Sequence, residues 1–183
     1  MTADWYLMRA SGVVALLLLT AVFLLGIATT KRWRTRSLPG FAAVGIHRSI
    51  ALLSVVFLAV HIVTAVVDPY AVVRMAAVFA PFVAGKSAFW VGLGALSLDL
   101  LAALIVTSLL RHRLNLRVWR GVHWLAYLAW PLATAHSLGM GSDTGTLWLQ
   151  AFAAGCVGLV AAAAAVRLLR PLGREKHLEA QPT

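Results

Sequence analysis

Long apolar runs separated by short basic clusters dominate this 183-residue chain. A helix that crosses the hydrocarbon core of a bilayer needs about 20 mainly apolar residues. Five stretches meet that need: residues 10–30, 46–67, 89–110, 122–138 and 146–166. The pattern predicts an all-α bundle of about five transmembrane helices at residues 1–170, with a short cytoplasmic tail at 171–183 that is polar and expected to be disordered after Arg174. The connection at 68–88 is also apolar, above all at 75–83, yet too short to span. It is expected to form an interfacial or re-entrant helix capping the bundle.

Composition agrees with a lipid solvent. The chain is 61% hydrophobic and 12% charged, and its mean hydropathy is +0.87, whereas a soluble domain is roughly a quarter charged. The net charge of +10 does not indicate nucleic acid, because the basic residues are not gathered on one soluble face. They mark topology instead. Lys31, Arg32, Arg34, Arg36 and Arg48 follow the first run; Arg111, Arg113, Arg117 and Arg120 follow the third; Arg167, Arg170, Arg174 and Lys176 follow the fifth. With five spans these regions share one side and hold 13 of the 16 basic residues, leaving Arg9, Arg74 and Lys86 opposite. The expected orientation is N-terminus outside and C-terminus cytoplasmic, in what the chain's character suggests is a bacterial inner membrane. Trp5, Tyr6, Tyr70, Trp90 and Trp148 fall near the outer ends, Trp33 and Trp119 near the inner ends, as interfacial aromatics do. Because basic residues follow rather than precede the first run, it reads as a retained helix and not a cleaved signal. The single cysteine, Cys156, forms no internal disulfide and no haem-attachment motif, and is expected to be a small buried apolar side chain.

Histidine carries the candidate chemistry. His112 and His177 sit among basic residues and read as solvated. His47 and His61 are 14 residues apart in the second run, His123 and His136 13 apart in the fourth. At 1.5 Å per residue each pair is about 20 Å apart along its helix. The second and fourth spans run in the same direction, so His47 matches the depth of His123, and His61 that of His136. Facing neutral imidazoles at one depth can supply both axial ligands of a haem iron. Two levels predict two b-type haems, one near each face. A single zinc or copper site would gather its ligands within a few ångströms. Fourteen residues of ideal helix turn the face by about −40° and thirteen by about −140°. Pro131, between His123 and His136, is expected to kink the helix and re-aim His136.

The segments HRSIALLSVVFLAVH, from His47 to His61, and WRGVHWLAYLAWPLATAH, from Trp119 to His136, resemble the ferric reductase-like transmembrane domain family. That family includes the membrane parts of ferric reductases and NADPH oxidases, and the haem-binding subunit of bacterial methionine sulfoxide reductase systems. The resemblance covers roughly residues 13–139. It implies a bundle whose haems pass electrons across the membrane between a flavin donor and an acceptor. The chain shows no flavin or nicotinamide domain and no GxGxxG between a strand and a helix, so it reads as an electron-transfer subunit, not a complete reductase. Its donor is expected to be a flavoprotein or a quinol, and its acceptor ferric iron, oxygen, or an outer reductase or flavoprotein.

Haem propionates are anionic, so Arg48 beside His47 and Arg120 three residues before His123 are candidate propionate partners at the inner level, with Arg74 and Lys86 weaker candidates at the outer. Asp99, an acidic residue in mid-span, is expected to act as a proton relay or to pair with a buried donor such as Ser97 or Thr107. Gly12, Gly45, Gly92 and Gly94 would let helices or a flat porphyrin approach closely. The competing reading is a non-redox membrane scaffold or small-solute or proton transporter with packing or relay histidines. Transporters usually carry internal repeats or matched broken helices, and the sequence shows neither clearly.

Overall fold

The computed structural model describes residues 3–28, 40–69, 71, 73–85, 87–140, 143 and 145–178, with the side chains of residue 40 and of most residues from 167 onward left undescribed. Expectations on Tyr70, Lys86, Trp33 and the basic cluster at 31–36, and on the side chains of Arg167, Arg170, Arg174, Lys176 and His177, lie outside what is described.

The described chain is all-helical: α1 Ala3–Ala28, α2 Gly40–Val67, α3 Met75–Phe79, α4 Ala88–Leu109, α5 Leu116–His123, α6 Ala126–Gly139 and α7 Leu147–Leu178. Four helices, α1, α2, α4 and the first twenty residues of α7, are long and apolar enough to cross a membrane. In lipid the backbone must satisfy its own polar groups, which a helix does completely. Hydroxyls inside these helices follow the same rule by donating back one turn: Thr20 to the Leu16 carbonyl, Thr64 to Val60 and Thr107 to Ala103. Helix α7 runs on to Leu178, so the segment 175–178, expected to be disordered, is helical.

We call the end of the bundle that holds Met8 the upper end. Helix α1 descends from it, α2 ascends, α4 descends, α5 and α6 ascend, and α7 descends. The broadest packing joins α1 to α2 and α4 to α6, and α1 also meets α6 and α7. Where α1, α6 and α7 meet, Trp130, Cys156 and Val160 are buried among Leu19, Phe23, Leu24 and Phe152. Buried hydrogen bonds tie α6 to its neighbours: Trp130 Nε1–H donates to Thr20 Oγ1 at 3.0 Å, and Ser97 Oγ–H to the Ala129 carbonyl at 2.9 Å. At the upper rim Arg9 Nε pairs with Asp143 at 2.7 Å.

The fourth predicted span is not one continuous α-helix. It tightens between α5 and α6, where the N–H groups of Trp124, Leu125, Tyr127 and Leu128 each reach the carbonyl three residues back. This is 3₁₀ geometry, about 120° and 2.0 Å per residue against about 100° and 1.5 Å. Some five tightened residues add about 100° of turn, bringing the 13-residue spacing of His123 and His136 close to the −40° of the 14-residue spacing in α2. Pro131 sits inside α6 without ending it. It withholds the N–H that Tyr127 would otherwise receive, which weakens the α pattern where the tightening occurs. The re-aiming predicted for a proline kink is thus achieved by overwinding one to two turns earlier.

A covered cavity with facing histidines

Helices α2 and α6 do not pack broadly on each other. Between them, walled by α1 and α4, lies a cavity of about 630 Å³ lined by Met8, Arg9, Gly12, His61, Gly94 and His136 among others. This volume is within the ~300–1,000 Å³ typical of cofactor sites. Its upper end is covered as expected for the 68–88 connection: Ala77 and Val78 of α3 are buried and line it. Phe82 holds this cover down. Its backbone adopts a left-handed φ of 67°, and its ring lies directly over Gly92, where any Cβ would collide with it.

His61 and His136 face each other here, ring centres 6.3 Å apart and planes at 81°. Each ring is tied to the backbone of a neighbouring helix. His61 Nδ1 lies 2.8 Å from the Met8 carbonyl of α1, and His136 Nδ1 2.8 Å from the Trp90 carbonyl of α4. A carbonyl only accepts, so each Nδ1 carries the proton and each Nε2 keeps a free lone pair. Glycine makes both approaches feasible. A Cβ on Gly12 would sit 2.8 Å from His61 Nδ1, and one on Gly94 2.7 Å from His136 Nδ1. Of the glycines singled out from the sequence, Gly12 and Gly94 back histidines, Gly92 admits Phe82, and Gly45 faces open space.

The lower histidines are held differently. His123 lies within electrostatic range of His47 and of Arg111. His47 lies beside the Val22 backbone and packs 3.6 Å from a Cβ placed on Gly26, but its buried Nδ1 makes no hydrogen bond of good geometry. Gly12 and Gly26 are 14 residues apart, the spacing of His61 and His47 on the antiparallel neighbour. His123 stacks on Trp119, one turn earlier in α5, with ring centres 4.8 Å apart at 23°. The Arg111 guanidinium lies over the Trp119 ring at 4.6 Å. Such aromatic contacts are worth about 0.5–1.5 kcal/mol beyond burial. Asn115 starts α5 by accepting the Arg117 N–H at 2.8 Å.

Arg48 and Arg120 are exposed at the lower end, and Arg74 is exposed at the upper end. Among the described residues, the cation that lines the cavity is Arg9, which the sequence did not single out. It also lies over Trp5 at 5.3 Å. The expected partners of Asp99 are engaged elsewhere: Ser97 donates to Ala129, and Thr107 to Ala103 and Leu104. Residues two apart on a helix point about 200° apart, so Ser97 and Asp99 face different neighbours.

An integral membrane bundle with imidazoles meeting across an internal cavity is the class of protein these features define. The chain belongs to the ferric reductase-like family. It matches the ferric reductase like transmembrane component over residues 11–134, about two thirds of its length. Membership makes it a component of membrane electron transfer. The match takes in His47, His61 and His123 and stops just short of His136. Comparison with curated proteins and with solved structures found no match.

Proposed function

We propose that the chain is a b-type cytochrome that carries electrons across the membrane through two bis-histidine haems, His61 with His136 at the upper level and His47 with His123 at the lower. The upper pair carries the reading. A metal–imidazole bond is about 2.0 Å and the ring centre lies about 1.1 Å further, so two axial imidazoles on one iron have centres roughly 6.2 Å apart. The observed separation is 6.3 Å. Both Nε2 atoms are left free by carbonyl bonds at Nδ1, the usual support of a metal-bound histidine. Among the described residues no three His, Cys, Asp or Glu side chains converge. A porphyrin needs no such cluster, because it brings four equatorial nitrogens and asks the protein for two.

Bound haem would supply one-electron chemistry, and two axial imidazoles favour electron transfer over oxygen binding at iron. The protein's own part is to fix the rings, exclude water and neutralise the propionates, with Arg48 and Arg120 near the lower pair and Arg9 beside the upper. The upper end faces outside and the C-terminus the cytoplasm of a bacterial inner membrane. A flavoprotein or quinol donates, and ferric iron, oxygen or a partner reductase or flavoprotein accepts at the outer face.

The test is haem content. Protein purified from haem-replete cells should be red, with about two haems b per chain by pyridine hemochrome. His61→Ala and His136→Ala should remove the same haem, and His47→Ala and His123→Ala the other. Colourless protein would favour the scaffold or transporter reading, and a crossed pattern of losses would refute the pairing.

A further inference from the structure

The two histidine levels are built on different principles, and the difference assigns a role to Trp119. At the upper level, Met8 and Trp90 carbonyls fix each imidazole through Nδ1. At the lower level, His123 Nδ1 is buried with no hydrogen-bond partner among the described residues. A free imidazole turns about its Cβ–Cγ bond over a broad range. What limits His123 is the indole face of Trp119, nearly parallel at 23° and 4.8 Å between centres. The Arg111 guanidinium, from the turn after α4, lies over the same indole at 4.6 Å. Trp119 Nε1 is itself buried without a partner, so the residue is not held there by a hydrogen bond of its own.

We infer that Trp119, held in a cation–π contact with Arg111, is the positioning residue that sets the ring plane of His123. A stacked face does at the lower level what a backbone carbonyl does at the upper. This rests on the cytochrome reading above and adds to it a residue that does not touch iron. Two consequences distinguish the role from plain packing. The orientation of an axial imidazole governs the low-spin ferric g-values of its own haem, so a change at Trp119 moves one haem's signal and leaves the other's. And since the indole acts through its face, phenylalanine should substitute while leucine should not.

The experiment compares Trp119→Phe, Trp119→Leu and Arg111→Gln with wild type in detergent-purified protein. It reads haem stoichiometry, the electron paramagnetic resonance g-values of each haem and the rate of haem transfer to apomyoglobin. Trp119→Leu should shift the lower haem's largest g-value and speed its loss by about tenfold or more, the usual effect of removing a support to a metal ligand. The upper haem should be unchanged. Trp119→Phe should restore the wild-type signal, and Arg111→Gln should lie between. Wild-type behaviour of Trp119→Leu overturns the inference while leaving the cytochrome intact. Equal loss of both haems marks a folding defect and overturns it too, as does failure of Trp119→Phe to rescue. A wild-type protein that binds no haem overturns both readings.

Discussion

Gly94→Ala adds a single methyl group to α4 where it meets His136. The added Cβ would lie 2.7 Å from Nδ1, 2.8 Å from Cε1 and 3.0 Å from Cγ of that ring, whereas ordinary contact begins at 3.4 Å. The ring must therefore retreat by roughly 0.7 Å (3.4 less 2.7) or α4 and α6 must part. Either movement stretches the 2.8 Å bond from Nδ1 to the Trp90 carbonyl beyond useful length. Losing that bond and burying an unpaired donor costs about 1–3 kcal/mol. Working against this, alanine in place of glycine favours a helix by about 0.5–1 kcal/mol. The loss wins, and it falls on one proposed ligand. Disturbed supports of metal-bound histidines typically weaken the metal about 10–100-fold. Haem transfer from purified protein to apomyoglobin, followed at the Soret band, should show one of two haems leaving 10–100 times faster. Gly155→Ala on α7 faces open space and serves as the control, retaining both haems. Two haems held at the wild-type rate in Gly94→Ala would refute the argument that His136 is seated against α4 to serve iron.

Arg9→Gln removes the cation that lines the cavity and pairs with Asp143; the upper haem's midpoint potential should fall, since positive charge favours the reduced iron, while the lower haem's stays fixed in a spectroelectrochemical titration. Trp130→Phe deletes the buried bond to Thr20 and should cost about 1–3 kcal/mol, seen as a lower melting temperature in detergent with both haems still present. A reporter fused to the C-terminus should signal from the cytoplasmic side, and a periplasmic signal would reverse the assignment of upper to outside.

Four of the five spans were legible because a bilayer imposes a length and a composition that sequence displays directly. The 122–138 run obeyed the composition and not the geometry. Its tightening around Trp124 and Leu125 follows from local backbone bonding near Pro131, which hydropathy does not register. The four histidines stood out as polar groups in apolar runs, and their matched spacing gave the levels. Gly12 and Gly94 were noticed as places of close approach, but not what approaches them. Gly26 was missed, although its 14-residue separation from Gly12 repeats that of the histidines on α2 and could have signalled a neighbouring helix in antiparallel register. Arg9 was passed over because it belongs to no cluster, and its pairing with Asp143, 134 residues away, leaves no mark in local sequence. Of the two roles expected for Asp99, proton relay or partner to Ser97 or Thr107, the second meets hydroxyls that serve backbone carbonyls instead.

By itself the sequence determined a lipid-dissolved helical chain, the spans' approximate limits and the depths of four imidazoles, because each follows from distances along one helix. Only the tertiary structure decided which faces meet, that α2 and α6 stand apart around a cavity, and that carbonyls hold His61 and His136 while an indole stacks on His123. Those facts depend on rotation and packing between helices, where a few ångströms and one overwound turn choose among arrangements that the apolar pattern leaves equal.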